Sequence, residues 1–141
     1  MHLRLSNIGP RGERNIHRAL GLLNEVRPDH YRRVFRELRG IAFIRGGCDG
    51  GLACTGADYG RTAVLASDPA GTDIIQLAVR LSHEARHHLT DRWGRHFIIE
   101  HSCRDCSNPW ERALDPIYHE DGRLEEALRF SHAGLIASYL W

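Results

Sequence analysis

The run Leu81-Ser82-His83-Glu84-Ala85-Arg86-His87-His88-Leu89 gathers residue types that do chemistry together. His83 and His87 stand four apart, a spacing that puts both on one face of a helix. Two imidazole nitrogens offered there can hold one metal ion, and Zn2+ is the ion such ligands suit. Glu84 projects towards the open side of that metal, where its carboxylate can take a proton from a metal-bound water. His83-Glu84-Ala85-Arg86-His87 is thus one complete H-E-x-x-H, with two ligands and a general base.

Such a site needs a rigid element beneath it. Ile74, Leu77, Ala78, Leu81, Ala85 and Leu89 recur every three or four residues, with no Gly or Pro between Asp73 and Leu89. The spacing predicts one long amphipathic helix, with Ser67-Asp68-Pro69 or Thr72-Asp73 as its N-terminal signal. Arg80, His83, Glu84 and His87 fall on the flank of its apolar stripe, as a site at a core's edge requires. His88 lies about 100° around the helix from His87 and points elsewhere, as a surface or core-edge residue.

Ahead of that helix the pattern is of two helices and a small sheet. Ile16, Leu20, Leu23 and Val26 predict a helix over 12–27, stopped by Pro28. Tyr31, Val34, Phe35 and Leu38 predict a second over 29–39. His17 and His30 fall at polar positions and read as surface residues. Ile41–Ile44, Leu52–Tyr59 (broken by Gly56) and Thr62–Ala66 read as strands. The intervening glycines at 46–51 are not followed by G-K-[ST], which sets a nucleotide-binding loop aside. A strand edge beside the metal pairs with an extended peptide, and 62–66 directly precedes the motif helix.

After Leu89, Thr90-Asp91-Arg92-Trp93-Gly94 closes the helix, and 95–101 reads as a strand or extended loop. Asn108 and Pro109 start a further helix as N-cap and first residue, and Pro116 ends or kinks it. A last helix is expected over 124–141, with Leu124, Ala127, Leu128, Leu135 and Tyr139 in the core. The whole is an α+β chain, mainly helical, with a small β-sheet preceding the H-E-x-x-H helix. At 141 residues it reads as one domain, 1–141.

Composition narrows the partners. With 42% hydrophobic and 26% charged residues, the balance is that of an ordinary globular chain. The net charge of +1 gives no electrostatic case for nucleic acid or an anionic membrane. No apolar run is long enough to span a bilayer, and the first residues lack a signal peptide's apolar core. A cytoplasmic location is the resulting expectation. The cysteines fall in two pairs, Cys48 with Cys54 and Cys103 with Cys106. A shared four-thiolate metal site, disulfides and free thiols all remain open to them. The missing signal peptide argues against disulfides, and the first spacing is wide for zinc.

A catalytic zinc keeps three protein ligands and one open position. Downstream of His87 the candidates are Asp91, His96, Glu100, His101, Asp105 and Glu111. Asp91 and His96 sit close to the helix end, whereas Glu111 opens a new, well-capped helix after a long connection. With Glu111-Arg112-Ala113-Leu114-Asp115 following H-E-x-x-H, the chain resembles the gluzincin metallopeptidases over roughly 60–120. That resemblance implies that His83, His87 and Glu111 bind zinc, that Glu84 is the base, and that Asp115 hydrogen-bonds a ligand His. The metzincin pattern fails, because it needs Gly at 90 and His at 93 where this chain has Thr90 and Trp93.

The expected reaction is zinc-dependent hydrolysis of a peptide bond in a peptide or protein substrate. Tyr118, His119 and His132 are the candidates for stabilising the oxyanion. The alternative is a zinc-binding regulatory or interaction domain without peptidase activity. An intact Glu84 weighs against it, since a structural site has no need of a base.

Overall fold

The chain opens with a strand too short to carry a periodic signal, β1 (Arg4–Ser6), which the sequence pattern does not reveal. This computed structural model describes residues 2–56, 59–91 and 93–140, the side chains of 138–140 excepted. Pro10 then starts α1 (Pro10–Val26), and Pro28 both ends it and starts α2 (Pro28–Glu37). Three further strands follow, β2 (Gly40–Phe43), β3 (Ala53–Gly56) and β4 (Gly60–Leu65). The sheet order is β1-β2-β4-β3, with β1 parallel to β2, β2 parallel to β4, and β3 antiparallel to β4. The segment 62–66 is therefore interior. The edge strands are β1 and β3, the latter extended by the sequence reading to Tyr59, across two residues (57 and 58) outside the described ones.

A 3-10 turn at Pro69–Gly71 leads into α3 (Ile74–Arg86), the helix of the H-E-x-x-H motif. Asp73 caps it by accepting the N–H of Ile75 at 3.0 Å. Its apolar stripe behaves as the spacing predicts. Ile74, Leu77, Ala78, Leu81 and Ala85 are fully buried, against α1, α2 and α5 (Pro116–Phe130). The buried Asn15 of α1 donates to the carbonyl of Pro69 at 2.9 Å, which fastens α1 to the entry of α3. Gly12 sits at the same contact, where a Cβ would lie 2.9 Å from Pro69 Cγ and 3.0 Å from Ile8 Cγ2.

Beyond α3 come α4 (Pro109–Leu114), then α5 and α6 (His132–Leu140). Pro116 begins a new helix rather than kinking the old one, since Asp115 caps α5 by accepting the N–H groups of Ile117 and Tyr118. The expected last helix over 124–141 is two helices, broken at Ser131. Leu124 and Leu128 are core, but Leu135 is 60% exposed, because the break at Ser131 resets the helix phase. The side chain of Tyr139, like Arg92 and Trp141, lies outside the described residues. The fold is α+β and mainly helical, and all four strands precede α3. No helix among the described residues is long and apolar enough to cross a membrane.

Candidate metal centre

At the C-terminal end of α3, the rings of His83 and His87 turn their Nε2 atoms towards each other, 3.3 Å apart. The third ring of the group is His101, whose Nε2 lies 3.1 Å from that of His83. The three rings each offer a nitrogen, and those nitrogens lie within 4.8 Å of one another. His101 arrives there because the chain reverses directly after the helix. Asp91 accepts the N–H groups of Trp93 and Arg95, and Gly94 takes a positive φ of 77°, which makes a tight turn. The returning segment is extended, and it donates from Phe97 N–H to Leu89 O at 2.8 Å and from Ile99 N–H to His87 O at 2.9 Å. These bonds satisfy carbonyls left open at the helix end and carry His101 back over His83.

Each ring is held from outside by its other nitrogen. His83 Nδ1 lies 2.5 Å from Asp121 Oδ2, and His87 Nδ1 donates to the carbonyl of Ile99. His101 Nδ1 lies 3.2 Å from Asp115 Oδ2. An acceptor at Nδ1 of His83 and of His87 keeps the proton there and leaves their Nε2 lone pairs facing inward, while Nδ1 of His101 is buried beside Asp115 without a hydrogen bond. Three lone pairs converging at this distance repel one another, and a cation between them removes the repulsion. The residues therefore fit a divalent metal.

The electrostatics follow the same geometry. Glu84 is buried, with Oε1 4.0 Å from His83 Nε2, and burial pushes its carboxyl up to about 7 against the pull of His83. Burial lowers His87 to about 4. His83 is pulled down by burial but ends above its ordinary value, because Asp121 favours the charged ring. Burial alone would raise Asp115, yet the N–H groups of Cys103 and Tyr118 and the ring of His101 hold it at about 2.

Glu111 does not join the group. Its carboxylate turns to the loop and accepts the N–H of Asp105 at 2.7 Å, so the third position expected for it is taken by His101. The extended return of 95–101 brings a ligand back without a second helix, which is the physical reason for the difference. Asp115, expected to hydrogen-bond a ligand His, lies with Oδ2 3.2 Å from Nδ1 of His101. Tyr118 stacks on His101 with ring centroids 4.6 Å apart and 5.4 Å from His83. His119 is exposed at the rim of the cleft, and His132 is exposed at the start of α6.

Two other histidines also differ from expectation or refine it. His88 points away from the trio, to Thr55 Oγ1 at 2.7 Å and His96 Nε2 at 3.1 Å. His30 is buried rather than at the surface, with Nδ1 2.6 Å from Ser82 Oγ, because α2 packs directly on α3.

Cys48 is joined to Cys54 and Cys103 to Cys106 as disulfides. The two pairs do not form one four-sulfur group among the described residues. A second candidate ligand group, His101, Cys103, Cys106 and Asp115, shares His101 with the first. With its sulfurs bonded to each other, that group lacks free thiolates.

Of the three histidines, His83 lines a cleft of about 1010 Å3. The end of the loop before β3 together with the first residue of that strand, Gly50–Ala53, forms one wall, and α3, α4 and α5 form the others. His83, Glu84 and Tyr118 all line it. Comparison of the chain with protein-family models, with curated proteins and with solved structures finds no match.

Proposed function

We propose that the chain is a zinc-dependent hydrolase acting on peptide bonds, with His83, His87 and His101 as metal ligands and Glu84 as general base. The observation that carries this reading is the convergence of three histidine rings, two of them fixed by an acceptor at Nδ1 and the third beside Asp115, next to a buried carboxyl that lines an open cleft. The ligand set departs from the two His and one Glu of gluzincins, so the proposal rests on the site itself.

Bound at the trio, Zn2+ supplies Lewis acidity towards a water and a carbonyl oxygen. The chain's own groups manage the protons. Glu84 accepts one from water and returns it to the leaving amine, a task that a carboxyl near 7 suits at neutral pH. Tyr118 is the residue we assign as donor to the developing oxyanion, since it lines the cleft against His101. Beside the cleft, β3 has one unpaired edge in the sheet order, and such an edge suits an extended peptide.

A cleavage assay on a peptide library, with zinc-loaded wild type and Glu84→Gln in parallel, tests this. Cleavage that falls by roughly two to four orders of magnitude in Glu84→Gln supports the reading. Equal cleavage by both proteins, or none by either, contradicts it.

A further inference from the structure

The α3 and α5 helices are cross-linked by a series of polar rungs. Gln76 donates to Glu125 at 2.5 Å, His83 meets Asp121 at 2.5 Å, and Arg86 pairs with Glu120. As the α3 number rises the α5 number falls, so the helices run antiparallel along this seam. Arg80 stands between Gln76 and His83, and by the same progression its rung falls at 122–123, where Arg123 is an exposed cation that offers no acceptor. There α5 has Gly122, which offers no side chain and whose missing Cβ would meet nothing within 4 Å.

Arg80 consequently lacks the carboxylate that its neighbours have. Its Nε is buried without a hydrogen-bond partner. Its guanidinium forms no hydrogen bond or ion pair with any described residue, and Asp73 is the one carboxylate whose charge it feels. Of the other acids that line the cleft, Asp121 is engaged by His83 and Glu125 by Gln76 and Arg129, and neither Glu84 nor Glu126 forms an ion pair with Arg80 among the described residues. A buried guanidinium donor without an acceptor costs stability unless something supplies one. Arg80 and Gly122 line the same cleft as His83 and Glu84.

We infer that Arg80 is a specificity residue that binds a carboxylate of the substrate in the gap left by Gly122. The inference rests on the hydrolase reading of this cleft and names its substrate class, peptides with a carboxylate near the scissile bond. Four helical residues separate Arg80 from Glu84, about 6 Å along the axis. An extended chain rises about 3.3 Å per residue, so the carboxylate belongs to a position one or two residues from the bond cut. An Asp or Glu side chain supplies it there, and so does a free C-terminus. Arg suits the task because its planar fork matches a carboxylate with two parallel hydrogen bonds.

The test uses matched peptides carrying Glu or Gln near the scissile bond, each with a free or amidated C-terminus. Two readouts are taken: kcat/KM with the zinc-loaded wild type and Arg80→Ala, and binding by fluorescence anisotropy with zinc-loaded Glu84→Gln and its Arg80→Ala double variant. The expected result is a preference of roughly ten- to a hundredfold for the carboxylate peptide, collapsing to about parity when Arg80 is removed. Arg80→Lys, which keeps charge without the fork, retains an intermediate preference. Loss of preference on amidation assigns the carboxylate to the C-terminus, and loss in the Glu-to-Gln pair assigns it to a side chain. No preference in binding, including no binding at all, overturns the inference, as does a preference that survives in Arg80→Ala. Absence of cleavage with an Arg80-dependent binding preference intact counts against the hydrolase reading alone.

Discussion

Asp115 Oδ2 lies 3.2 Å from Nδ1 of His101 and also accepts the backbone N–H of Ser102 at 2.8 Å and of Cys103 at 3.2 Å. Its other oxygen caps α5 through Ile117 N–H at 2.9 Å. One fully buried carboxylate therefore ties the third ring of the metal centre to the loop behind it and to the helix that supplies Asp121 and Tyr118.

Asp115→Ala removes all of these contacts at once. Loss of the cap and of buried acceptors for several N–H groups is expected to cost about 3 kcal/mol in urea unfolding. Zinc affinity, followed by competition with a chelating dye, is expected to fall by roughly ten- to a hundredfold as His101 loses its orienting partner.

Gly12 marks where α1 meets the entry of α3. Gly12→Ala forces its new methyl to within 3.0 Å of Pro69 and Ile8, and a packed contact of this kind has little room to give. A destabilisation of about 1–3 kcal/mol is expected by chemical denaturation, despite alanine's better helix propensity. Gly21→Ala, with nothing near its added methyl, is the control and is expected to leave stability equal or higher.

His30 gives stability a pH dependence. Burial lowers it from 6.5 to about 4, with Arg33 and Arg27 acting in the same sense and Asp29 and Asp121 opposing; Glu120 lies 4.0 Å away. Because the folded pKa is the lower one, the contribution is complete above the unfolded value and is lost as pH falls from 6.5 towards 4. It amounts to at most about 3 kcal/mol. Unfolding free energies at about pH 7.5 and about pH 5.5 (one unit either side of the unfolded value) for wild type and His30→Gln check it. The variant is expected to lose less stability than wild type across that interval.

The sequence carries the motif helix almost whole, because a buried stripe at i, i+3 and i+4 leaves a periodic trace. The end of that helix is less legible, since it stops at Arg86 rather than running to Leu89, while the helix around Val34 is legible. The third histidine of the candidate site is harder to read. His101 reaches the site through a chain reversal whose signal is local and brief, Asp91 followed by Gly94. A long connection to Glu111 matches a known ligand pattern better, and nothing in spacing alone reveals that 95–101 folds back on the helix. His30 is misread for a related reason. A polar residue on a charged helix reads as exposed until Ser82 of α3 is known to face it. Strand β1 leaves no trace, since only Leu5 of its three residues is even partly buried. The unpaired Arg80 also becomes visible only once α5 is seen to run past α3 with Gly122 in its path.

On the proposed reading His101, and not Glu111, completes the metal centre. Zinc per chain, measured by elemental analysis on wild type, His101→Ala and Glu111→Ala prepared in parallel, tests it most directly. The account predicts about one zinc in wild type and in Glu111→Ala, with most of it lost in His101→Ala. Zinc retained by His101→Ala but lost from Glu111→Ala, or absent from wild type, would contradict it.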